Sequence, residues 1–230
     1  MGAKLNIILV HGAWGDGSHW RHVIPQLDAK GYNVTAVQNP LTSLADDVDR
    51  TRRLAKAQDG PVLLVGHSYG GAVITGAGHE SNVVGLVYVA AFAPDKGESL
   101  GSILGRTAPT SGGAFIRPDA DGFLWIAREG FHESFCQDLD KEESLVMALS
   151  QKPIAGRCFA DESGEPAWRV KPSWYQVSSQ DHMIPPETEA WLAERMQTQK
   201  TITLDASHAS LASRPDEIIA LIDEAAKSFS

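Results

Sequence analysis

Apolar residues follow two alternating patterns along the chain, short continuous runs and longer segments with helical spacing. The continuous runs are typical of strands buried on both faces of a parallel sheet. They predict strands at 5–10, 62–65 and 83–89. A β-branched segment predicts a strand at 32–37, and further strands are predicted at 173–177 and 201–204. Segments with an apolar residue every three to four positions predict helices at 20–30, 44–58, 69–78, 186–197 and 215–229. This alternation predicts an α/β fold, with a mainly parallel sheet flanked by helices on both faces. Ser43 and Ser213 precede two of the helices and are suited to cap them.

The segment 94–170 interrupts this alternation. It has no comparable buried strand, Gly and Pro are frequent in it, and helical patterns occur at 123–139 and 141–151. We therefore expect a mostly helical cap at 94–170, inserted into a core that residues 1–93 and 171–230 form together.

Composition narrows the range of partners. The 230 residues include 20 Lys and Arg against 29 Asp and Glu, and the net charge of −9 disfavours nucleic acids and anionic membranes. No apolar run reaches the roughly 18–20 residues of a membrane span, and the stretch 5–10 is shorter than the roughly 7–15 residues of a secretion signal's core. We expect a complete, cytoplasmic chain that is a monomer or homodimer. Cys136 and Cys158 are expected to be reduced thiols, with one disulfide between them as the alternative.

The strongest candidate for chemistry is the motif GHSYGG at 66–71, between a predicted buried strand and a predicted helix. A G-x-S-x-G sequence at such a turn exposes the Ser68 hydroxyl as a nucleophile, and the N-terminus of the following helix stabilises a developing oxyanion. One alternative is a glycine-rich turn with an incidental serine. Another is a phosphate-binding loop, but the Lys-Ser/Thr pair of a P-loop is absent here.

A serine nucleophile needs a general base and a carboxylate that orients the base. In this type of turn they follow the serine in the order acid, then histidine, each just past a later strand. Asp181 follows the fifth predicted strand and His208 follows the sixth. Of the eight histidines, only His208 lies at such a strand end after the acid. Asp95, just past the fourth strand, is the alternative acid, whereas Asp205 is expected to shape the turn before His208.

The loop after the first strand, HGAWGDG at 11–17, is expected to supply the second donor to the oxyanion. Its glycines allow backbone N–H groups to point inward. The candidate donors are the amides of Ala13 and Tyr69. A dinucleotide-binding fingerprint is the alternative role of this loop, but no third glycine follows Gly15 and Gly17 at the required spacing.

Four motifs resemble those of a known family: HGAWGDGSHW, GHSYGG, SSQDHMIPP and SHASLASRP, spread from residue 11 to residue 215. With them the chain resembles the serine hydrolases of the α/β-hydrolase fold, and it is similar to small bacterial esterases and to the plant methylesterase/hydroxynitrile lyase branch. The resemblance implies a triad of Ser68, Asp181 and His208 and oxyanion donors at Ala13 and Tyr69. It also implies a helical cap over the site, and neither a cofactor nor a metal.

The same resemblance separates hydrolysis from carbon–carbon bond cleavage. Hydroxynitrile lyases of this branch usually have Thr after the first His of the H-G motif and Lys directly after the catalytic His. The lysine supplies the positive charge that holds departing cyanide. This sequence has Gly12 and Ala209 at those positions, which favours ester hydrolysis.

We therefore expect a carboxylesterase that acts on a small, neutral or apolar ester through an acyl-enzyme on Ser68. The alternatives are a ligand-binding protein of the hydrolase fold with slow turnover, and a hydroxynitrile lyase. Candidate apolar walls of the substrate pocket, each with core packing as its alternative role, are Trp14, Phe131, Trp168 and Met183. His67 is expected to pack beneath the turn that carries Ser68.

Overall fold

The computed structural model describes residues 5–229, and a six-stranded sheet forms its centre. The strands of this range are β1 (Asn6–Val10), β2 (Asn33–Ala36), β3 (Val62–His67), β4 (Val83–Val89), β5 (Ile116–Pro118), β6 (Phe123–Ile126), β7 (Ile154–Ala155), β8 (Ser173–Ser178) and β9 (Lys200–Leu204). The central sheet has the order β2-β1-β3-β4-β8-β9, and every neighbouring pair in it is parallel. The predicted α/β fold with a mainly parallel sheet is confirmed.

Helices cover both faces of this sheet. Over the described residues they are α1 (Ile24–Ala29), α2 (Leu44–Lys56), α3 (Tyr69–Ala77), α4 (Leu100–Leu104), α5 (Arg128–Phe135), α6 (Lys141–Ser150), α7 (Arg157–Ala160), α8 (Pro186–Met196), α9 (Ser210–Ser213) and α10 (Pro215–Lys227). The helix predicted at 20–30 is divided into a 3₁₀ turn, Gly17–Trp20, and α1. Pro25 explains the division, because it has no N–H to bond the carbonyl of Arg21. Within residues 5–229, no helix is both long and apolar enough to cross a membrane.

The side chains of β3 show how the sheet separates two hydrophobic clusters. Leu64 lies in the cluster that includes side chains of α2, α3, α8 and the segment 94–170. Leu63 and Val65 point to the opposite face and pack with α1 and α10. All three side chains are fully buried, and burying one of this size stabilises the fold by about 1.5–3 kcal/mol. Two apolar faces explain why the central strands β1, β3 and β4 appear in the sequence as continuous apolar runs, whereas the edge strands β2 and β9 are only partly buried.

The two predicted helix caps have different outcomes. The hydroxyl of Ser43 accepts a hydrogen bond from the amide of Asp46 at 3.0 Å, as expected for the cap of α2. The prediction for Ser213 is wrong, because Ser213 ends α9 and Arg214 occupies the N-cap position of α10. The buried Ser213 hydroxyl has no hydrogen-bond partner among residues 5–229. Pro215, whose φ is already helical, begins α10 in its place.

The segment 94–170 contains α4 to α7 and also a small antiparallel sheet, β5-β6-β7, which the helical prediction missed. The helix predicted at 123–139 is wrong over Phe123–Ile126, which form β6, and correct over Arg128–Phe135. The turn before β6 explains the difference. Asp119 accepts a hydrogen bond from the amide of Phe123 at 2.9 Å, and Gly122 has a φ of 82°. This turn folds β6 back onto β5 as a hairpin.

Candidate active site

The turn between β3 and α3 holds Ser68 in a strained conformation. Its φ of 54° is rare for a residue with a side chain. A Cβ on Gly66 would lie 2.5 Å from the carbonyl oxygen of Gly70, and one on Gly70 would lie 2.4 Å from that of Val10. Only glycine fits at both positions, so the spacing of the G-x-S-x-G motif is a steric requirement of this turn.

Ser68, His208 and Asp181 form a continuous hydrogen-bonded chain. The His208 Nε2 atom lies 2.8 Å from the Ser68 Oγ atom, and its Nδ1 atom lies 2.5 Å from the Asp181 Oδ2 atom. The three residues follow β3, β9 and β8, whose carboxyl ends meet at one edge of the sheet. All three are buried. The structure thus brings together the three residues that the sequence singles out.

Asp181, rather than Asp95, faces His208. The Asp181 Oδ1 atom accepts hydrogen bonds from the amides of Met183 at 2.6 Å and Ile184 at 2.8 Å, which leaves Oδ2 for the imidazole. Asp95 instead forms an ion pair with Arg169. The carboxylate of Asp95, the alternative acid, is therefore engaged by Arg169 and not by the imidazole of His208. Asp205, just past β9, is exposed, and its carbonyl accepts a hydrogen bond from Arg214.

The loop after β1 lies directly against the nucleophile turn. A Cβ on Gly12 would be 2.7 Å from the Cβ of Ser68, so glycine is required for this approach. Ala13, the next residue, is buried. Tyr69 is the first residue of α3, and its N–H therefore has no acceptor within the helix. The amides of Ala13 and Tyr69 thus belong to the two segments that meet beside Ser68.

His11 holds the start of this loop as a neutral imidazole. Its Nε2 atom accepts a hydrogen bond from the amide of Asn39 at 3.0 Å, and its Nδ1 atom donates to the carbonyl of Gly12 at 2.8 Å. These two contacts require one protonated and one unprotonated ring nitrogen. Burial lowers the pKa of His11 to about 4, in agreement with a neutral ring.

Two more buried imidazoles surround the base. His67 lies beneath the nucleophile turn and donates a hydrogen bond from Nε2 to the carbonyl of His208 at 2.8 Å. Burial lowers the pKa of His67 well below the usual range for histidine. Burial also lowers the pKa of His19 to about 3, and its Nδ1 atom has no hydrogen-bond partner in the described part of the chain. The folded protein therefore keeps these rings neutral at neutral pH.

We expect the free energy of unfolding to decrease as the pH is lowered from about 6.5 to about 4.5. In this window the unfolded chain binds protons at His11, His19 and His67, whereas the folded protein does not. Stability is therefore highest above the pKa of the unfolded imidazoles and is lost on acidification. Each such histidine contributes a slope of about 1.4 kcal/mol per pH unit where only the unfolded form is protonated. Urea unfolding at several pH values measures the slope.

His19→Gln should lower that slope by about 1.4 kcal/mol per pH unit, because the unfolded chain then binds one proton fewer. His79→Gln is the matched control, since the ring of His79 lies at the surface. A free energy of unfolding that does not change across the window would contradict the prediction. So would an equal slope in both variants and the unmodified protein.

Phe135 is a site residue that the sequence analysis missed. Its ring lies 4.9 Å from the imidazole of His208, edge to face, and its carbonyl accepts a hydrogen bond from the amide of Ala209. Phe131, a predicted wall residue, stacks on Phe135 at 5.2 Å rather than on His208 itself. No motif marks Phe135, since it is one apolar residue of an ordinary helix, far in the sequence from His208.

Trp14 connects the loop after β1 to the segment 94–170. Its indole N–H donates to the carbonyl of Leu124 in β6 at 3.0 Å, and its own carbonyl accepts from the amide of Lys152 at 3.3 Å. Trp14 has a φ of 60°, so these contacts hold a strained backbone next to Ala13. The conformation of this loop thus depends on contacts with the inserted segment.

The other two predicted wall residues lie in different surroundings. Met183 is buried next to Asp181, and a Cβ on Gly112 would be 2.6 Å from its sulfur atom. Trp168 lies away from the triad. The residue before it, Ala167, packs against Gly78, at the end of α3 that is opposite to Ser68. The indole of Trp168 donates a hydrogen bond to the carbonyl of Pro94. The structure therefore brings Met183 to the site and leaves Trp168 outside it.

The two cysteines are free and buried. Burial raises the pKa of Cys136 to about 11 and that of Cys158 to about 12, so both are neutral thiols at neutral pH. This agrees with the reduced state expected from the sequence. Over residues 5–229, His, Cys, Asp and Glu side chains form no group of three or more arranged to hold a metal ion.

Comparison with known proteins identifies relatives along the whole chain. Residues 7–221 match the alpha/beta hydrolase family. The putative methylesterase 19 of Arabidopsis thaliana is 26% identical over 265 residues, which cover 98% of this chain and 99% of that protein. A carbendazim hydrolyzing esterase of Nocardioides sp. is 32% identical over 168 residues, which cover 66% of this chain and 67% of that protein.

Solved structures share the fold at lower identity. A pyrethroid hydrolase from Sphingobium faniae superposes with a TM-score of 0.78 at 22% identity, covering 97% of this chain and 98% of that one. Polyneuridine aldehyde esterase gives a TM-score of 0.81 at 17% identity, covering 96% of this chain and 99% of that one. With the sequence match over residues 7–221 and this agreement in fold, the chain belongs to the alpha/beta hydrolase family.

Proposed function

We propose that this protein is a serine-dependent carboxylic ester hydrolase that forms an acyl-enzyme on Ser68. The observation that supports this most strongly is the hydrogen-bonded chain from Asp181 through His208 to Ser68 at the nucleophile turn. The esterases among the relatives support ester chemistry in particular. The reaction needs no group besides these side chains, backbone amides and water.

The proposed mechanism assigns one role to each residue. His208 accepts the proton of the Ser68 hydroxyl while Oγ attacks the ester carbonyl, and Asp181 orients the imidazole and stabilises its protonated form. The amides of Ala13 and Tyr69 donate to the oxyanion. Losing one such donor typically costs about 2.7–4 kcal/mol of transition-state stabilisation. The alcohol leaves with the proton from His208, and a water molecule activated by His208 then hydrolyses the acyl-enzyme.

We propose a small, neutral or apolar ester as the substrate. Apolar residues lie beside the triad: the Phe135 ring packs against His208, and Met183, whose backbone amide donates to Asp181, is buried. The net charge of −9 opposes the approach of an anionic ester. The methylesterases among the relatives favour a small alcohol portion such as methanol. The segment 94–170 acts as the cap that shapes this pocket, because it holds Trp14 and carries Phe135.

A hydroxynitrile lyase is a weaker proposal, because the residue after His208 is Ala209, which is buried and carries no charge. A departing cyanide ion would lack the ammonium group that stabilises it in lyases of the branch this chain resembles. A ligand-binding protein with slow turnover is the other alternative. It would have the same triad geometry as an esterase, and only a much lower rate of ester hydrolysis would distinguish it.

We expect steady turnover of p-nitrophenyl acetate and of small methyl esters, with kcat/KM about tenfold higher for a neutral ester than for its carboxylate analogue. A panel of esters that differ in acyl length, alcohol and charge measures this preference. Release of cyanide from mandelonitrile faster than hydrolysis of every ester would instead favour the lyase. Tight binding of an ester with negligible turnover would favour the binding protein.

A further inference from the structure

Glu189 is a fully buried carboxyl group for which the proposed mechanism has no role. It lies in the first turn of α8, the helix that follows the loop carrying Asp181. A carboxylate in the first turn of a helix is common at the surface, where it interacts favourably with the helix dipole. A buried one is uncommon, because burial strongly disfavours the charged form unless a partner compensates it.

The contacts of Glu189 are those of a carboxylic acid between one donor and one acceptor. Its Oε2 atom accepts a hydrogen bond from the amide of Ser178, the last residue of β8, at 2.9 Å. Within the described part of the chain, its buried Oε1 atom accepts no hydrogen bond. The Asp181 carboxyl group is its neighbour, because the Asp181 amide donates to the carbonyl of Ser178, the residue whose amide Glu189 accepts. A hydrogen bond with Asp181 is one cause of the raised pKa of Glu189. Two carboxyl groups in such contact need a proton between them.

The hydrogen bonds around the pair determine which group holds that proton. Asp181 accepts two backbone amides at Oδ1 and faces the His208 ring at Oδ2, so its ionised form is well stabilised. Glu189 accepts one amide only. Burial, and then the charge of Asp181, raise the pKa of Glu189 well above the usual range for glutamate. The proton therefore belongs to Glu189.

Among residues 5–229, the other titratable groups near Glu189 supply no compensating charge. Tyr175 on β8 is a neutral phenol, since burial raises its pKa well above the usual range, and its hydroxyl donates to the carbonyl of Ala91. Arg195, on the same helix as Glu189, pairs with Glu98 instead. The Asp181 carboxylate, with His208 behind it, is the charged neighbour of Glu189.

We propose that Glu189 is a positioning residue of the active site, which stays protonated and donates a hydrogen bond to the carboxylate of Asp181. The triad thereby becomes a chain of four groups, Glu189, Asp181, His208 and Ser68. The donated hydrogen bond fixes the orientation of the Asp181 carboxylate and withdraws part of its negative charge, which limits how strongly Asp181 stabilises the protonated imidazole. This role rests on the ester hydrolysis proposed above.

The kinetic test compares Glu189→Leu and Glu189→Gln, with Glu187→Leu as the matched control from the exposed face of the same turn. In Glu189→Leu the carboxyl group that donates to Asp181 is gone, so the Asp181 carboxylate is more negative and stabilises the protonated imidazole of His208 more strongly. The acid limb of kcat/KM for p-nitrophenyl acetate should then move up by about 0.5–1 pH unit in Glu189→Leu. We expect kcat to fall about tenfold to a hundredfold, because the Asp181 carboxylate loses the hydrogen bond that fixes its orientation and this loss outweighs its greater charge. KM should change by less than about twofold, because Glu189 does not touch the substrate.

Glu189→Gln keeps both a donor for Asp181 and an acceptor for the Ser178 amide. It should retain kcat within about threefold and leave the acid limb within about 0.2 pH unit. If Glu189 were ionised, either substitution would remove a negative charge near the imidazole, and the acid limb would move down instead. A downward shift overturns the proposal, as does an acid limb that Glu189→Leu leaves where it is.

A measurement that needs no activity tests the protonation itself. A glutamate that is neutral when folded and ionised when unfolded opposes folding increasingly as the pH rises above about 4.5. The folding equilibrium constant of Glu189→Gln, relative to the unmodified protein, should therefore increase about tenfold per pH unit from about pH 5 to about pH 7. A ratio that stays constant means that Glu189 is ionised in the folded protein, and it overturns the proposal. Unmodified protein without esterase activity would contradict the proposed function, and this ratio would still test Glu189.

Discussion

Replacing Ser68 with alanine is expected to lower kcat for p-nitrophenyl acetate by about 10⁵–10⁶-fold, the loss found when a serine nucleophile acts as one unit with its base. In the proposed mechanism the Ser68 Oγ atom attacks the ester carbonyl, and this atom lies 2.8 Å from the Nε2 atom of His208. The alanine keeps the backbone turn, so folding and KM should change little. Steady-state hydrolysis measures the effect, and circular dichroism checks the fold.

Ser134→Ala is the matched control for this experiment. Ser134 is buried in α5, one residue before Phe135, and its hydroxyl has no partner. We expect its kcat to stay within about threefold of the unmodified protein, because the substitution removes only one hydroxyl group that hydrogen-bonds to neither His208 nor Asp181. If Ser68→Ala retained an activity comparable to that of Ser134→Ala, another group would have to be the nucleophile.

Replacing Asp181 with asparagine is expected to lower kcat by about 10⁴-fold, as in other triads in which the amide selects the wrong imidazole tautomer. Asparagine at this position keeps an oxygen for the amides of Met183 and Ile184, and its NH₂ group faces the Nδ1 atom of His208. Nδ1 then accepts a hydrogen bond and Nε2 carries the proton. The ring can no longer take the proton of Ser68.

Asp95→Asn separates this account from the alternative acid. Asp95 pairs with Arg169, and its loss should change kcat by less than about threefold, the scale of an exposed ion pair. A large loss in Asp95→Asn together with a small loss in Asp181→Asn would identify Asp95 as the acid and contradict the geometry described above. Initial rates of both variants at the pH optimum of the unmodified protein decide between them.

The site was predictable from the sequence where chemistry and strand position coincide. Ser68 and Asp181 each follow a strand that is buried along its whole length. His208 follows β9, an edge strand that is largely exposed, so its identification depends on the order of the three residues along the chain. The glycines of the nucleophile turn are visible for the same reason, since the turn permits no Cβ at Gly66 or Gly70.

The inserted segment was less predictable, because its structure depends on contacts between distant parts of the chain. The short run that forms β6, Phe123–Ile126, has too few residues to distinguish a strand from a helix, and its hairpin depends on the turn at Asp119. Phe135 and Trp168 are both buried aromatic residues of this segment. Only the three-dimensional packing shows that Phe135 contacts His208, whereas Trp168 lies at the far end of α3.

The protonation state of Glu189 could not be predicted from the sequence. In the sequence it is one of three glutamates in a helix that also contains exposed charges, and its position in the first turn is ordinary. The fold buries it between Ser178 and Asp181, and this burial gives the carboxyl group a state that its sequence position does not indicate. The protonation of a buried acid is thus a property of its neighbours.

The central claim is that ester hydrolysis proceeds through a covalent acyl group on Ser68. It is tested most directly by mixing the protein with p-nitrophenyl acetate, quenching with acid during turnover, and mapping peptides by mass spectrometry. The account predicts one acetyl group on the peptide that contains Ser68, formed at the rate of p-nitrophenol release and absent from Ser68→Ala. An acetyl group on another residue that forms at the turnover rate, or turnover with Ser68 unmodified throughout, would contradict it.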